Sequence, residues 1–243
     1  MGIPGQVTDG GGSIAFVFAM PMEAQPLVRR LGLVPDGPAR RGPWRGRRAG
    51  RPVTAVVTGM GTALADRGVR ELLDRERVDH VVVVGITGAL RDDTPIGTLI
   101  RPSAVVHSGT GGTHRPVHLG GGSPRGVMWT TDDLTTDPAE LSALGARGVV
   151  SLDMETAAVG AVCEDREVPW SVIRSISDRA GDGTIDDAVF GLSHQDGSPD
   201  PRAVTRFVLA RPHRIPTLVS IGRNAQHAAR VAADAAVRIC TAD

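Results

Sequence analysis

The chain has 243 residues, 41% of them hydrophobic, enough to bury a full core as one α/β domain. Lys plus Arg and Asp plus Glu both number 27, so the formal charge is zero and neither a basic excess for nucleic acid nor a charge block for a polyelectrolyte partner is present. No apolar run approaches the ~18 residues of a membrane span, and Cys163 and Cys240 are too few for a disulfide framework and read as reduced, partly buried thiols of a cytoplasmic protein.

The opening MGIPGQVTDGGGS has neither a basic n-region nor an apolar h-region, so residues 1–13 read as a flexible leader and 14–243 as the domain. Ile14–Met20, Val53–Thr58, His80–Gly85 and Trp170–Ile176 are continuously apolar, as strands covered on both faces are. Helical patterns at Glu23–Leu31, Ala63–Arg75, Met154–Asp165 and Ile221–Ile239 alternate with them. The alternation predicts a single α/β domain with a central mixed sheet flanked by helices. Ligands of such sheets sit beyond the carboxyl ends of the strands. Two stretches interrupt the pattern. The Gly-rich Ser108–Arg125 reads as a mobile loop, and Asp182–Arg202 as a second loop before the C-terminal helices.

The chemistry-bearing residues fall at the strand ends. Glu23, in FAMPMEAQPL, is a carboxylate just past a buried strand at the positive start of a helix. TGMGTALA places Gly59 and Gly61 where the chain turns from strand into helix. VVVVGITGAL is a glycine-punctuated strand end, DMETAAVGAVC sets Glu155 in the first turn of a helix, and SVIRSISD delivers Arg174, Ser177 and Asp178 at the end of a strand. A carboxyl at a partly desolvated strand end has its pKa raised and can be protonated near neutrality. The seven histidines form no metal-like pair; His107, His114 and His118 flank the Gly-rich loop and read as solvated. No G-x-G-x-x-G opens the first helix, which disfavours a dinucleotide-binding Rossmann domain. Neither a metal nor an organic cofactor is called for.

Across Ile14 to Asp178 these segments resemble the nucleoside phosphorylase and nucleosidase superfamily, in particular the methylthioadenosine/S-adenosylhomocysteine nucleosidases. The resemblance implies the three-layer nucleoside phosphorylase-like fold and a homo-oligomer, a dimer foremost. It also implies a small-molecule purine nucleoside as partner, an adenine nucleoside altered at the 5′ position being favoured. Asp178 then acts as general acid at purine N7 with Ser177 orienting it. Glu155 holds the ribose hydroxyls, with Met154 against the sugar face and Met20 lining the pocket, and Glu23 with Arg174 prepares water. The pattern departs from the family twice. Ile86 replaces the serine that helps hold water, with Thr87 offering a neighbouring hydroxyl. In GVMWTTDDLTTDPAEL, where Thr131, Asp132, Leu134 and Thr135 stand at pocket positions, Leu134 replaces the phenylalanine that stacks on the base, leaving Trp129 as either a substitute ring or a core residue. The C-terminal tail resembles phosphorylase-type proteins associated with hopanoid synthesis.

Hydrolysis is favoured over phosphorolysis, because Val83 and the Met22-Glu23 pair stand where bacterial purine phosphorylases carry arginines, and a carboxylate repels phosphate but accepts a proton from water. Arg29 and Arg30 nearby keep a phosphorylase as the nearest rival. A protein that binds a nucleoside without cleaving it is the rival from another class.

Overall fold

The computed structural model of the chain describes residues 12–37, 42–119, 123–192, 194, 198 and 200–241; the expected leader lies, up to residue 11, outside the described residues. In chain order the elements are β1 (Ile14–Phe18), α1 (Pro21–Leu31), β2 (Val34–Pro35), β3 (Trp44–Arg48), β4 (Arg51–Val57), α2 (Thr62–Arg75), β5 (His80–Ala89), β6 (Leu99–Ile100), β7 (Ala104–His107), β8 (Thr113–His114), β9 (Val127–Thr130), α3 (Pro138–Ala146), β10 (Val149–Asp153), α4 (Thr156–Asp165), β11 (Trp170–Arg179), α5 (Asp187–Phe190), α6 (Pro201–Ala210) and α7 (Ile215–Thr241), with a 3-10 turn over Pro212–Arg214.

All the strands join one mixed sheet in three layers. Alternation along β1 shows why. Ile14, Phe16 and Phe18 face a core closed by α1 and α7, while Ala15 and Val17 face one closed by α2 and α4. Helix α4 is apolar nearly all round, TAAVGAVC, because it is buried along most of its length. Gly160 in its middle makes room for Trp170, whose ring would lie 2.6 Å from a Cβ there.

Strand β5 organises the site. It pairs in parallel with β11 along nearly its whole length, from Val81 to Ala89. Its other edge is divided. β1 pairs in parallel from His80 to Val83, and β10 joins antiparallel only at Gly88 and Ala89. Residues 84–87 therefore have no strand on that edge, and their backbone groups must find other partners.

The sheet, its mixed character and its two helical layers match the expected fold class, with several shifts of boundary. β5 and β11 run beyond Gly85 and Ile176, and those extra turns of the ladder carry site residues. The helix expected from Met154 begins at Thr156, with Glu155 at its N-cap rather than in its first turn. β1 stops at Phe18, and α7 starts at Ile215. The described part of the Ser108–Arg125 stretch is tied to the sheet rather than loose. β8 pairs with β7, and the Val117 N–H donates to Trp170 O at 2.7 Å. The Asp182–Arg202 stretch contains α5 and the start of α6. His114 is half-buried and pairs with Glu164 at 2.6 Å, and His118 Nε2 is buried, so neither is simply solvated. Both cysteines are fully buried, which pushes the Cys163 thiol up to about 12 and Cys240 up to about 11.

Candidate active site

Glu23 fills the gap on β5. It sits in the first turn of α1, and its carboxylate turns back onto three backbone N–H groups. Oε2 accepts from Ala19 at 3.0 Å and Met20 at 2.8 Å, and Oε1 accepts from Ile86, one of the unpaired β5 residues, at 2.8 Å. Gly85 is a glycine because a Cβ there would lie 2.3 Å from Glu23 Oε1 and 2.6 Å from Arg174 Nη1. Burial raises the Glu23 pKa, opposed by the Arg174 charge and by those three N–H donors.

Arg174, on β11, is almost wholly buried and faces three carboxylates. Its Nη2 donates to Asp153 at 2.6 Å and Glu155 at 3.1 Å, while Nη1 donates to Ile86 O at 3.2 Å and lies 3.6 Å from Glu23. Asp153 is the best satisfied of the three. It accepts from Thr130 Oγ1 at 2.6 Å, from the Thr156 N–H at 3.0 Å and from the Thr156 hydroxyl. Glu155 accepts from the Gly61 N–H at 3.0 Å, the turn the positive φ of Gly61 shapes. One guanidinium cannot neutralise three carboxylates. Burial first, with Asp153 and Glu23 adding repulsion and Arg174 opposing, pushes Glu155 up to about 7.

Asp178 lies four residues beyond Arg174 on β11, opposite Gly88, which is three residues beyond Gly85 on β5. Between Ile176 and Asp178 the β5–β11 register slips by one residue, a bulge at Ser177 that re-aims the next side chain. The Ser177 hydroxyl donates to Asp178 Oδ1. A Cβ on Gly88 would stand 3.0 Å from Asp178 Oδ2, so this glycine also clears a carboxyl. Burial raises the Asp178 pKa, with only the Ser177 hydrogen bond opposing it.

These groups face one cavity of about 200 Å³. Of the residues singled out in the sequence, Met20, Glu23, Ile86, Thr87, Leu134, Met154, Glu155, Arg174, Ser177 and Asp178 all line it. Asp132 does not, and its expected pocket place is corrected. Its carboxylate accepts from the Thr62 N–H at 3.0 Å and from the Thr62 hydroxyl, satisfying the open end of α2. Thr87 is committed elsewhere, donating to Leu152 O at 2.6 Å, so Ile86 serves through its backbone and Thr87 brings no free hydroxyl proton. Trp129 is a core residue packed with Leu141 and Leu144, under Arg147 at 4.6 Å. The ring that does reach the cavity is Phe190, from the stretch read as a loop. Sequence reading passed over Asp153, although a carboxylate ending a strand immediately before Met154-Glu155 was the available signal.

A family model described as the phosphorylase superfamily matches residues 13–124 and 122–210. The 5′-methylthioadenosine/S-adenosylhomocysteine nucleosidase of Bacillus anthracis is 25% identical over 167 residues, 56% of this chain and 72% of that protein. The crystal structure of the Helicobacter pylori nucleosidase of the same name, with butyl-thio-DADMe-Immucillin-A, superposes with a TM-score of 0.72 at 15% identity, covering 96% of this chain and 99% of that one. Futalosine hydrolase of Helicobacter pylori superposes with a TM-score of 0.70 at 15% identity, over 95% and 97% of the two chains.

Proposed function

The chain belongs to the phosphorylase superfamily, and we propose that within it the chain is a nucleosidase hydrolysing the N-glycosidic bond of a purine nucleoside, with a 5′-modified adenine nucleoside as the favoured substrate. The observation that carries this reading is that Glu23 and Asp178 line one cavity with opposite hydrogen-bond surroundings. Gly85 and Gly88, the residues beside them, are three apart on β5, about 10 Å, a span that accommodates a sugar and its base.

Asp178 in its protonated form donates to purine N7. The C1′–N9 bond then breaks with its electron pair passing to the base, and the sugar takes on oxocarbenium character. Water adds to C1′ and gives its proton to Glu23, which three N–H donors keep as an acceptor. The products are the free base and the 1-hydroxy sugar. Glu155 accepts hydrogen bonds from the ribose hydroxyls, Met154 packs on the sugar face, Met20 and Ile86 close the water side, and Arg174 fixes Glu155 and Glu23 in place. Each proton transfer supplies roughly 10²- to 10⁴-fold.

Water rather than phosphate is the nucleophile in this reading. Among the described residues the cations lining the cavity are Arg174 and Arg179. Arg174 is already engaged by three carboxylates, and Arg179 donates to Thr94 O at 3.2 Å. Arg29 and Arg30, which kept a phosphorylase in play, are exposed on α1, and Arg30 pairs with Asp234 at 2.8 Å.

The test is release of free base from methylthioadenosine, S-adenosylhomocysteine, 5′-deoxyadenosine, adenosine and futalosine, each with and without phosphate. Release without phosphate supports the nucleosidase and ranks the substrates. Release only with phosphate makes the chain a phosphorylase, and tight binding with no release makes it a binding protein.

A further inference from the structure

The chain is neutral overall, yet residues 201–230 hold Arg202, Arg206, Arg211, Arg214, Arg223 and Arg230 and not one Asp or Glu. The acidic excess lies elsewhere. This stretch, α6, the 3-10 turn and the first half of α7, is also barely packed. From residue 201 to 227 only Phe207 is buried. Of the six large hydrophobic residues that are exposed among the described residues, three fall within eleven positions of it: Leu209 at 78%, Ile215 at 40% and Val219 at 46%.

On α6 the outward residues Arg202, Thr205, Arg206 and Leu209 follow one helical stripe around a shallow groove. Phe207 points the other way, with the Arg211 and Arg214 guanidinia 5.3 and 5.6 Å from its ring. The acidic groups nearest the arm are already used. Asp200 caps α6, accepting from the Arg202 and Ala203 N–H groups, and Asp186 pairs with Arg214.

We propose that this arm, residues 201–223, docks on an anionic lipid bilayer surface. Exposed arginines interleaved with exposed aliphatic side chains on a helical face suit an interface that is charged outside and apolar just beneath. A second copy of the chain is a poor occupant, since a two-fold contact would press the same cationic stripe against itself. A nucleic acid is a poor occupant too, because the arm's single Phe, Tyr or Trp ring, Phe207, is buried, which leaves His213 as the one exposed ring for a base to stack on. Docking would bring the cavity rim to the bilayer. Arg214 also donates to Thr184 O, holding the segment in which Ile185 lines the cavity.

The full chain is to be sedimented with vesicles of phosphatidylcholine alone and of phosphatidylcholine mixed with phosphatidylglycerol, at low and high salt. The expected result is binding to the mixed vesicles only, weakened at least about tenfold by salt or by Arg202→Glu with Arg206→Glu, and weakened by Leu209→Asp, with circular dichroism of each variant unchanged. Three results overturn the proposal: no binding to the mixed vesicles, binding that ignores both the charge reversal and Leu209→Asp, or light scattering showing a dimer that Leu209→Asp converts to monomer, which would place a second copy on this face.

Discussion

Glu23 and Asp178 are carboxyls raised by the same cause, loss of water, and they face the same cavity from positions about three residues apart along β5. Their neighbours treat them differently. Glu23 receives three backbone N–H groups and stands near a guanidinium, all of which favour the anion. Asp178 receives one hydroxyl. Burial alone would make both weak acids; three fixed N–H donors and Arg174 oppose that shift at Glu23 and one hydroxyl opposes it at Asp178, and the proposed roles of acceptor and donor rest on this difference. One of those donors, the Ile86 N–H, is open because β5 has an edge that β1 has left and β10 has not yet reached; the other two, of Ala19 and Met20, lie in the turn between β1 and α1.

The sharpest way to break the comparison is Asp178→Asn. An amide cannot protonate N7, so base release should fall roughly 10³-fold with the melting temperature unchanged; activity within about tenfold of the parent, measured by chromatography of the free base, would remove Asp178 as the acid. Glu23→Gln should cut turnover about 10²-fold while a non-hydrolysable nucleoside analogue still binds in calorimetry. It should also lower stability by about 1–3 kcal/mol, because an amide cannot accept from all three N–H groups. Unchanged turnover would end its role as base.

Glu155 tests the electrostatics between them. Its folded pKa of about 7 lies above its ordinary value of 4.5, so the folded state holds a proton that the unfolded chain has released. The stability this contributes is complete below pH 4.5 and is lost as pH rises through 7. Glu155→Gln should therefore gain stability relative to the parent on going from pH 4.5 to 8, by at most about 3 kcal/mol; a difference flat across that window in thermal melts would contradict the crowding of three carboxylates on Arg174. The smallest effect belongs to Asp132→Ala. Losing the acceptor at the start of α2 should cost about 1 kcal/mol and leave kcat/KM unchanged, and a fall in kcat/KM would restore Asp132 to the site.

Much of this arrangement was legible in the chain. Strands buried on both faces are written as unbroken apolar runs, and a carboxylate placed where such a run gives way to a helix stands out. Glu23 was found that way, Glu155 from the helical pattern that opens at DMET and Asp178 from the end of the apolar run Trp170–Ile176, and the resemblance supplied the roles proposed for them. What was hidden depends on contacts distant in sequence. The bulge at Ser177 has no local signature. The divided edge of β5 follows from where β1 and β10 stop, which no single segment reveals. Asp132 lies just past β9 and Asp153 ends β10, and only the fold turns one toward the Thr62 N–H and the other toward Arg174. The helix that carries Phe190, itself one of the chain's few rings available for stacking, was obscured for a different reason: four helical residues within a polar stretch carry too little periodicity to register.

The hydrogen bond from the Met20 N–H to Glu23 means that the side chain proposed to take the proton from water also caps the first turn of α1. Exchange of water for an oxyanion nucleophile is therefore not a one-residue problem in this scaffold. Placing arginine at position 23 would strip the acceptor from Ala19, Met20 and Ile86 together and set a second guanidinium in the space beside Arg174, which Gly85 has cleared for a carboxylate. A redesign toward phosphorolysis has to rebuild the first turn of α1 and fill the open edge of β5 before it alters the chemistry.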